Sequence, residues 1–144
     1  MNWDKRWMSL AQLVSTWSKD QSRKTGCVIV DDRQVLISVG WNGFPRGIND
    51  DISERYERPI KYMWTEHAER NAIYNAVAKG ISVLNCRMYL TWYPCSDCAR
   101  AIIQSGIKTL YCIEPDWYDI RWKEHFVLVR EMLKEVDIKI IYRD

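Results

Sequence analysis

Histidine is nearly absent from this chain, with two among 144 residues, and phenylalanine is equally scarce. Glycine (6) and proline (4) are sparse, and 21 Lys and Arg against 19 Asp and Glu leave a formal net charge of only +2. Each shortage excludes something. So little glycine and proline rules out collagen-like and low-complexity chains. A near-neutral balance gives no electrostatic footprint for binding nucleic acid or a membrane surface. No apolar run approaches the roughly 20 residues of a membrane span. The opening residues, Met1-Asn2-Trp3-Asp4-Lys5-Arg6, are polar and lack the apolar stretch of a secretory signal. What remains is a soluble globular protein, 47% hydrophobic and 28% charged. Residues 1–144 make the length of one domain, which buries roughly two-thirds of its unfolded surface and needs no disulfide framework. A single cytoplasmic domain is the expectation.

Against these shortages stand five cysteines, and Cys95 and Cys98 form a C-x-x-C. A reducing compartment keeps thiols free, so this pair reads as metal-binding or redox-active before it reads as a disulfide. Cys27, Cys86 and Cys112 fall in or beside β-branched runs and read as small, inert hydrophobes.

Trp7, Met8, Leu10, Ala11, Leu13, Val14 and Trp17 recur at helical spacing, with Asp4 as the cap and an end near Ser18-Lys19-Asp20. The β-branched runs 27–30 and 35–39, separated by Asp31-Asp32-Arg33-Gln34, read as a hairpin. Asn42-Gly43 and Pro45-Arg46-Gly47 open a polar stretch that lasts to about Thr65. A loop of that length in a compact domain is functional or holds a short element. Helices are expected over 66–79 (ending at Gly80), 95–105 (ending at Gly106) and 121–135, and strands over 88–91, 107–113 and 136–142. A hairpin followed by alternating strands and helices predicts an α/β architecture of three layers. In it, helices flank a mixed five-stranded sheet whose later strands run parallel.

Two motifs stand at helix starts, His67-Ala68-Glu69 and Pro94-Cys95-Ser96-Asp97-Cys98. In an α/β sheet such starts share one rim, so the motifs can meet in space. One imidazole and two thiolates make a three-donor zinc site, and a tetrahedral metal with three protein donors keeps its fourth position for water, as catalytic sites do. Helix N-termini favour the thiolate form of Cys95 and Cys98. Zinc lowers the pKa of its bound water towards ~7, and Glu69 lies close enough to His67 to shuttle that water's proton without binding the metal. The combination H-x-E and P-C-x-x-C is the signature of zinc deaminases. Plainer readings exist. Thioredoxin-like redox chemistry also uses C-x-x-C but requires neither His67 nor Glu69. A structural zinc knuckle lacks a fourth donor, since His125 belongs to a different helix, and buried cysteines can lie near a surface histidine by coincidence.

Over most of its length the chain resembles the deoxycytidylate (dCMP) deaminase family of the cytidine-deaminase-like superfamily. The likeness is carried by Ser18-Lys19-Asp20 ahead of Gly26-Cys27-Val28-Ile29-Val30, and by Gly40-Trp41-Asn42-Gly43-Phe44-Pro45-Arg46-Gly47 with Asp50-Asp51. It continues through His67-Ala68-Glu69-Arg70-Asn71-Ala72-Ile73, and through Pro94-Cys95 with Cys98-Ala99-Arg100-Ala101-Ile102-Ile103-Gln104-Ser105-Gly106-Ile107. The zinc motif fits the whole superfamily; the Asn42-Gly43 loop and the Gln104-Ser105-Gly106-Ile107 helix end resemble the dCMP branch.

The resemblance implies the cytidine-deaminase-like α-β-α fold, Zn2+ held by His67, Cys95 and Cys98, and hydrolytic attack at C4 of the cytosine ring. Glu69 would protonate N3 and then the leaving amine, giving dUMP and ammonia. Substrate contacts are implied for Ala68, for Asn42 at the sugar, and for Arg23, Lys24 and Arg46 at the 5′-phosphate. Asn42 is otherwise a turn residue before Gly43, and the basic residues are otherwise solvated. The family likeness also implies a homo-oligomer, a hexamer, with dCTP and dTTP as effectors. The chain departs from the family at Trp92-Tyr93, where many relatives carry small or aliphatic residues, and Trp117-Tyr118 adds further rings. Trp92, Tyr93 and Trp117 are therefore candidates for lining the pocket or a subunit contact, and the base and phosphate number stay open. The alternatives are a zinc deaminase of another base or nucleotide (guanine, a modified cytosine, dCTP), a deaminase of tRNA or single-stranded nucleic acid, and a non-catalytic zinc-stabilised module. Asp31-Asp32, Asp50-Asp51, Asp116 and Asp119 offset the basic groove that polymer binding uses.

Overall fold

The computed structural model describes residues 2–143. Helix α1 (Trp3–Ser15) is capped by Asn2 and not, as expected, by Asp4: the Asn2 side-chain oxygen accepts the Asp4 N–H at 2.8 Å. Asp4 sits instead in the first turn, where its charge favours the positive helix end. The hairpin is β1 (Gly26–Val30) and β2 (Leu36–Trp41), with Asp31 Oδ1 closing the turn by accepting the N–H groups of Arg33 and Val35, both at 2.9 Å. The long polar stretch holds a 3-10 turn, Ser53–Tyr56, and the single-turn helix α2 (Lys61–Trp64). There follow α3 (Ala68–Ala78), β3 (Arg87–Leu90), α4 (Ser96–Gln104), β4 (Thr109–Cys112), α5 (Lys123–Glu135) and β5 (Lys139–Tyr142).

The strand order is β2-β1-β3-β4-β5. β1 is antiparallel to both neighbours, whereas β3, β4 and β5 run parallel, so the expected mixed sheet is present. The last two strands are shorter than their apolar runs. Ile107 and Ile138 precede the paired residues and fill the core from the connections.

Strand alternation divides the core between two faces. Cys27, Ile29, Met88, Leu90, Leu110 and Cys112 face α3, α4 and α5, which answer with Ala72, Ala76, Ala99, Ile102, Val129 and Leu133. Val28, Val30 and Tyr89 face Met8 and Ala11 of α1. Three helices therefore cover one face and a single helix the other. Both covers approach to backbone contact. A Cβ on Gly40 would lie 2.3 Å from Ala72 N and 2.5 Å from Ala68 O of α3, and one on Gly26 would lie 2.0 Å from Ala11 O of α1. The missing side chain at Gly40 lets α3 rest directly on β2, and that seat fixes where the first turn of α3 begins.

Candidate metal centre

His67 and Cys95 are the N-cap residues of α3 and α4, both in extended backbone conformation. The two helix starts meet at the rim formed by the end of β3 and the start of β1. His67 Nδ1 lies 3.4 Å from Cys95 Sγ and 3.4 Å from Cys98 Sγ, and the three donor atoms lie within 4.8 Å of one another. A tetrahedral zinc with Zn–N of 2.0–2.1 Å and Zn–S of 2.3 Å requires N···S edges of about 3.5 Å, so this donor set fits that ion. The five cysteines are free thiols, and Cys95 and Cys98 converge on the imidazole without a disulfide between them.

The electrostatics favour a cation at this point. The Cys95 thiol is drawn down to about 4 by its hydrogen bond with Cys98, against the upward push of burial and with further help from His67. Cys98 is pushed up by the same bond to Cys95 and by burial. A dication held at the centre would favour the thiolate form of both cysteines. The Cys98 N–H also points at Cys95 Sγ, 3.5 Å away, adding the positive end of α4. The Glu69 carboxyl is buried, 4% exposed, and burial raises its pKa. Beneath it the Cys27 and Cys112 thiols are raised by burial as well, Cys112 to about 12, so both stay neutral.

The residues expected to touch substrate are distributed unequally around this cluster. Ala68 is fully buried between His67 and Glu69. Asn42 Oδ1 accepts the Thr25 N–H and its Nδ2 donates to the Arg23 carbonyl, both at 2.8 Å. Its amide therefore ties the connection ahead of β1 to the end of β2 and keeps one N–H and one lone pair uncommitted. Arg23 is exposed, with its guanidinium carbon 3.7 Å over the Trp92 ring, and Lys24 is exposed beside it. Arg46 lies elsewhere: it donates to Asn75 Oδ1 at 2.8 Å and lines a cavity of about 540 Å3 between the loop after Asn42 and α3. That cavity reaches Asn42 and Glu66 but none of His67, Glu69, Cys95 and Cys98.

The three aromatic candidates sit in different surroundings. Tyr93 is 3% exposed and belongs to the core, its ring set edge-on against Trp117 and Phe126. Trp117 packs between Tyr93 and the Arg130 guanidinium and donates from Nε1 to Glu114 at 3.0 Å. Residue alternation after β3 turns Tyr93 inward and leaves Trp92 outside.

Some supporting residues were assigned no function from the sequence. Asn71, inside α3, donates to the Trp41 carbonyl at 2.8 Å and locks α3 to the end of β2. Its signal was an asparagine in a helix interior, a position the residue disfavours. Lys61 of α2 is buried and pairs with Asp20 at 3.2 Å, and Asp20 also accepts the Ser22 and Arg23 N–H groups. No local pattern announces that pair.

Residues 1–114 match the family described as the cytidine and deoxycytidylate deaminase zinc-binding region. An uncharacterised deaminase from the luxG 3′ region of Aliivibrio fischeri is 38% identical over 141 residues, covering 97% of this chain and 92% of that one. The human deoxycytidylate deaminase is 33% identical over 124 residues, covering 83% and 68%. Among solved structures, the dCMP deaminase of the cyanophage S-TIM5 in complex with dCMP and dUMP shares the fold, with a TM-score of 0.77 at 24% identity over 96% of this chain and 95% of that one. A family match over four-fifths of the sequence, relatives above 30% identity and a donor cluster of matching chemistry lead to one conclusion: the chain belongs to the cytidine and deoxycytidylate deaminase zinc-binding family.

Proposed function

We propose that this protein is a zinc-dependent hydrolase that converts dCMP and water to dUMP and ammonia. The observation that carries the chemistry is His67 Nδ1 standing 3.4 Å from both Cys95 and Cys98 Sγ, with the buried Glu69 carboxyl beside them. The choice of dCMP is supported by the mouse and human deoxycytidylate deaminases, 34% and 33% identical over 83% of this chain.

Held by His67, Cys95 and Cys98, zinc supplies Lewis acidity and one open position, which makes water a nucleophile at neutral pH. Glu69 moves the protons. It accepts one from the attacking water and delivers it to N3, which makes C4 electrophilic; a further transfer to the exocyclic nitrogen lets that group leave as ammonia. Burial suits the role, because it keeps bulk water from competing and raises the pKa of the carboxyl, towards the range in which a group can both accept and return a proton. Ala68 packs against the sheet and keeps Glu69 facing the cluster. Asn42 has an uncommitted amide N–H to offer the sugar, and Arg23 with Lys24 supplies charge for the 5′-phosphate. Arg46 serves an anion in the cavity of about 540 Å3 rather than at the cluster. That cavity also carries Trp41, Phe44 and Tyr56, rings on which a base can stack, which supports dCTP or dTTP as effectors there.

Residues 1–144 act in this reading as one deaminase domain in the cytoplasm. No helix among the described residues is long and apolar enough to cross a membrane. The assembly is a homo-oligomer, a hexamer by family likeness. The exposed apolar side chains of Tyr74, Val77, Ile81 and Leu84 in and after α3 support a subunit contact, and a one-chain mass in light scattering would refute it.

The test is ammonia release from zinc-analysed protein with dCMP, CMP, deoxycytidine, dCTP, guanine and tRNA side by side. Preferential turnover of dCMP, with about one zinc per chain as a three-donor catalytic site requires, is expected. Turnover of guanine or tRNA in its place would overturn the substrate and keep the chemistry.

A further inference from the structure

The cations of this face are mostly neutralised by neighbours. Lys19 pairs with Asp50 and Asp51, Lys61 with Asp20, and Arg70 with Glu66 and Asp97, while Arg46 donates to Asn75. Arg23 differs. Among the described residues its guanidinium meets no carboxylate; it lies 3.7 Å over the indole of Trp92.

Both halves of this stack are anchored. The Arg23 N–H donates to Asp20 Oδ1 at 3.1 Å, and the Arg23 carbonyl accepts from Asn42 Nδ2 at 2.8 Å. Asp20 is itself buried and held by Lys61 at 3.2 Å. On the other side, Thr91 exchanges bonds with Gly26 at 3.0 and 3.1 Å, and the Trp92 carbonyl accepts from Ile113 N at 3.4 Å. The indole is thus a platform fixed to the entrance of β1 and the end of β4, three residues before Cys95. A guanidinium stacked on a ring keeps its N–H groups at the edge of its plane, the geometry that grips a phosphate through two parallel bonds. The ring also restrains a long side chain that would otherwise lose its freedom on binding.

We propose that Trp92 is a positioning residue that makes this enzyme select a 5′-phosphorylated nucleoside, by holding flat the Arg23 guanidinium, which meets no carboxylate among the described residues, on the connection that leads to Cys95. The inference rests on the dCMP reading above and deepens it. Trp92 touches neither the base nor the reacting atoms; it acts through Arg23.

The test is steady-state kinetics of the zinc-loaded full chain with dCMP and deoxycytidine, read as the ratio of their kcat/KM values. Trp92→Leu is expected to lower that ratio about fivefold, the size of a cation–π contact at a partly exposed site. The loss should come mainly through KM for dCMP, and Trp92→Phe should recover most of it. Arg23→Ala lowers the ratio further, and adding Trp92→Leu to it changes nothing more. Equal losses for both substrates would overturn the proposal, as would an undiminished Trp92 effect in the Arg23→Ala background. Should Trp92→Leu fold poorly, Arg23→Lys keeps the charge, removes the flat stack and must reproduce the fall; an unchanged ratio there refutes the proposal. A native enzyme that treats deoxycytidine and dCMP alike would refute the dCMP reading itself, whereas a native preference that survives these substitutions refutes only the role of Trp92.

Discussion

Replacing Gly40 by alanine adds one methyl group where α3 rests on β2, and the surroundings give it no room. The new carbon would lie 2.3 Å from Ala72 N, 2.5 Å from Ala68 O and 2.9 Å from Ala72 Cα, whereas ordinary contact begins at 3.4 Å. All three neighbours are backbone atoms, so no rotamer change relieves the clash, and α3 must withdraw by about 1 Å. Overpacking of this kind costs about 1–3 kcal/mol of stability. The functional cost is larger. α3 carries His67 and Glu69 while α4 carries Cys95 and Cys98, so the withdrawal opens the 3.4 Å separations that match a tetrahedral ion. A misplacement near 1 Å costs on the order of 100-fold in rate. The assay has three readings on one preparation: urea unfolding, zinc content and kcat for dCMP. Gly26→Ala is the companion, because its Cβ would meet Ala11 O at 2.0 Å and Ser15 N at 2.6 Å and so displaces α1, which bears no site residue. Both variants lose stability, but only Gly40→Ala loses most of its turnover and weakens its zinc. Native turnover and zinc content in Gly40→Ala, or equal rate losses in the two variants, would refute the reasoning.

Glu69→Gln keeps the shape of the site and removes its proton carrier, so kcat should fall on the order of 10²–10⁴-fold while zinc analysis still finds the native metal content. Dialysis against a strong chelator should abolish turnover and lower the melting temperature, and zinc added back should restore both; activity that survives demetallation would sink the metal reading. Burial pushes the Asp20 carboxyl up, but the Arg23 and Ser22 N–H groups and Lys61 outweigh it, so its pKa is lowered on balance. Its stabilising share is therefore present above the unfolded carboxylate pKa near ~3.9 and disappears as pH falls through the lower folded value. Asp20→Asn should flatten the acid limb of the stability curve, as read by denaturant midpoints between pH 6 and pH 2, roughly the interval around the carboxylate range.

The metal cluster was legible because its information is local. His67 and Glu69 are two residues apart, Cys95 and Cys98 three, and helix-start signals place both motifs where a sheet brings helix starts together. The hairpin and the alternating later strands and helices were readable for the same reason, since apolar period and turn residues act over a few positions, whereas the 3-10 turn and α2 inside the polar stretch could not be placed. What escaped depends on distant partners. Asp20 and Lys61 are 41 residues apart and nothing near Lys61 marks it as buried. Trp92 and Tyr93 looked alike as neighbouring rings, yet alternation sends them to opposite sides, and Tyr93 finds its place against Phe126, 33 residues on. Asn2 outranked Asp4 as a cap because its side chain, one step before the first turn, reaches the Asp4 N–H.

His67 and Glu69 ride on a helix seated against the sheet by main-chain contact, whereas the residues expected to touch substrate ride on the connections 20–25 ahead of β1, 42–65 after β2 and 91–94 after β3. The exposed positions of these connections can be recomposed without touching the Gly40 seat of α3, provided that the buried Asp20, Asn42, Lys61 and Tyr93 stay. Substrate range in such an architecture can drift one surface segment at a time, with every ancestor along the way still a working deaminase. For the protein engineer this marks the exposed positions of the three segments to randomise, and the helical faces to leave alone.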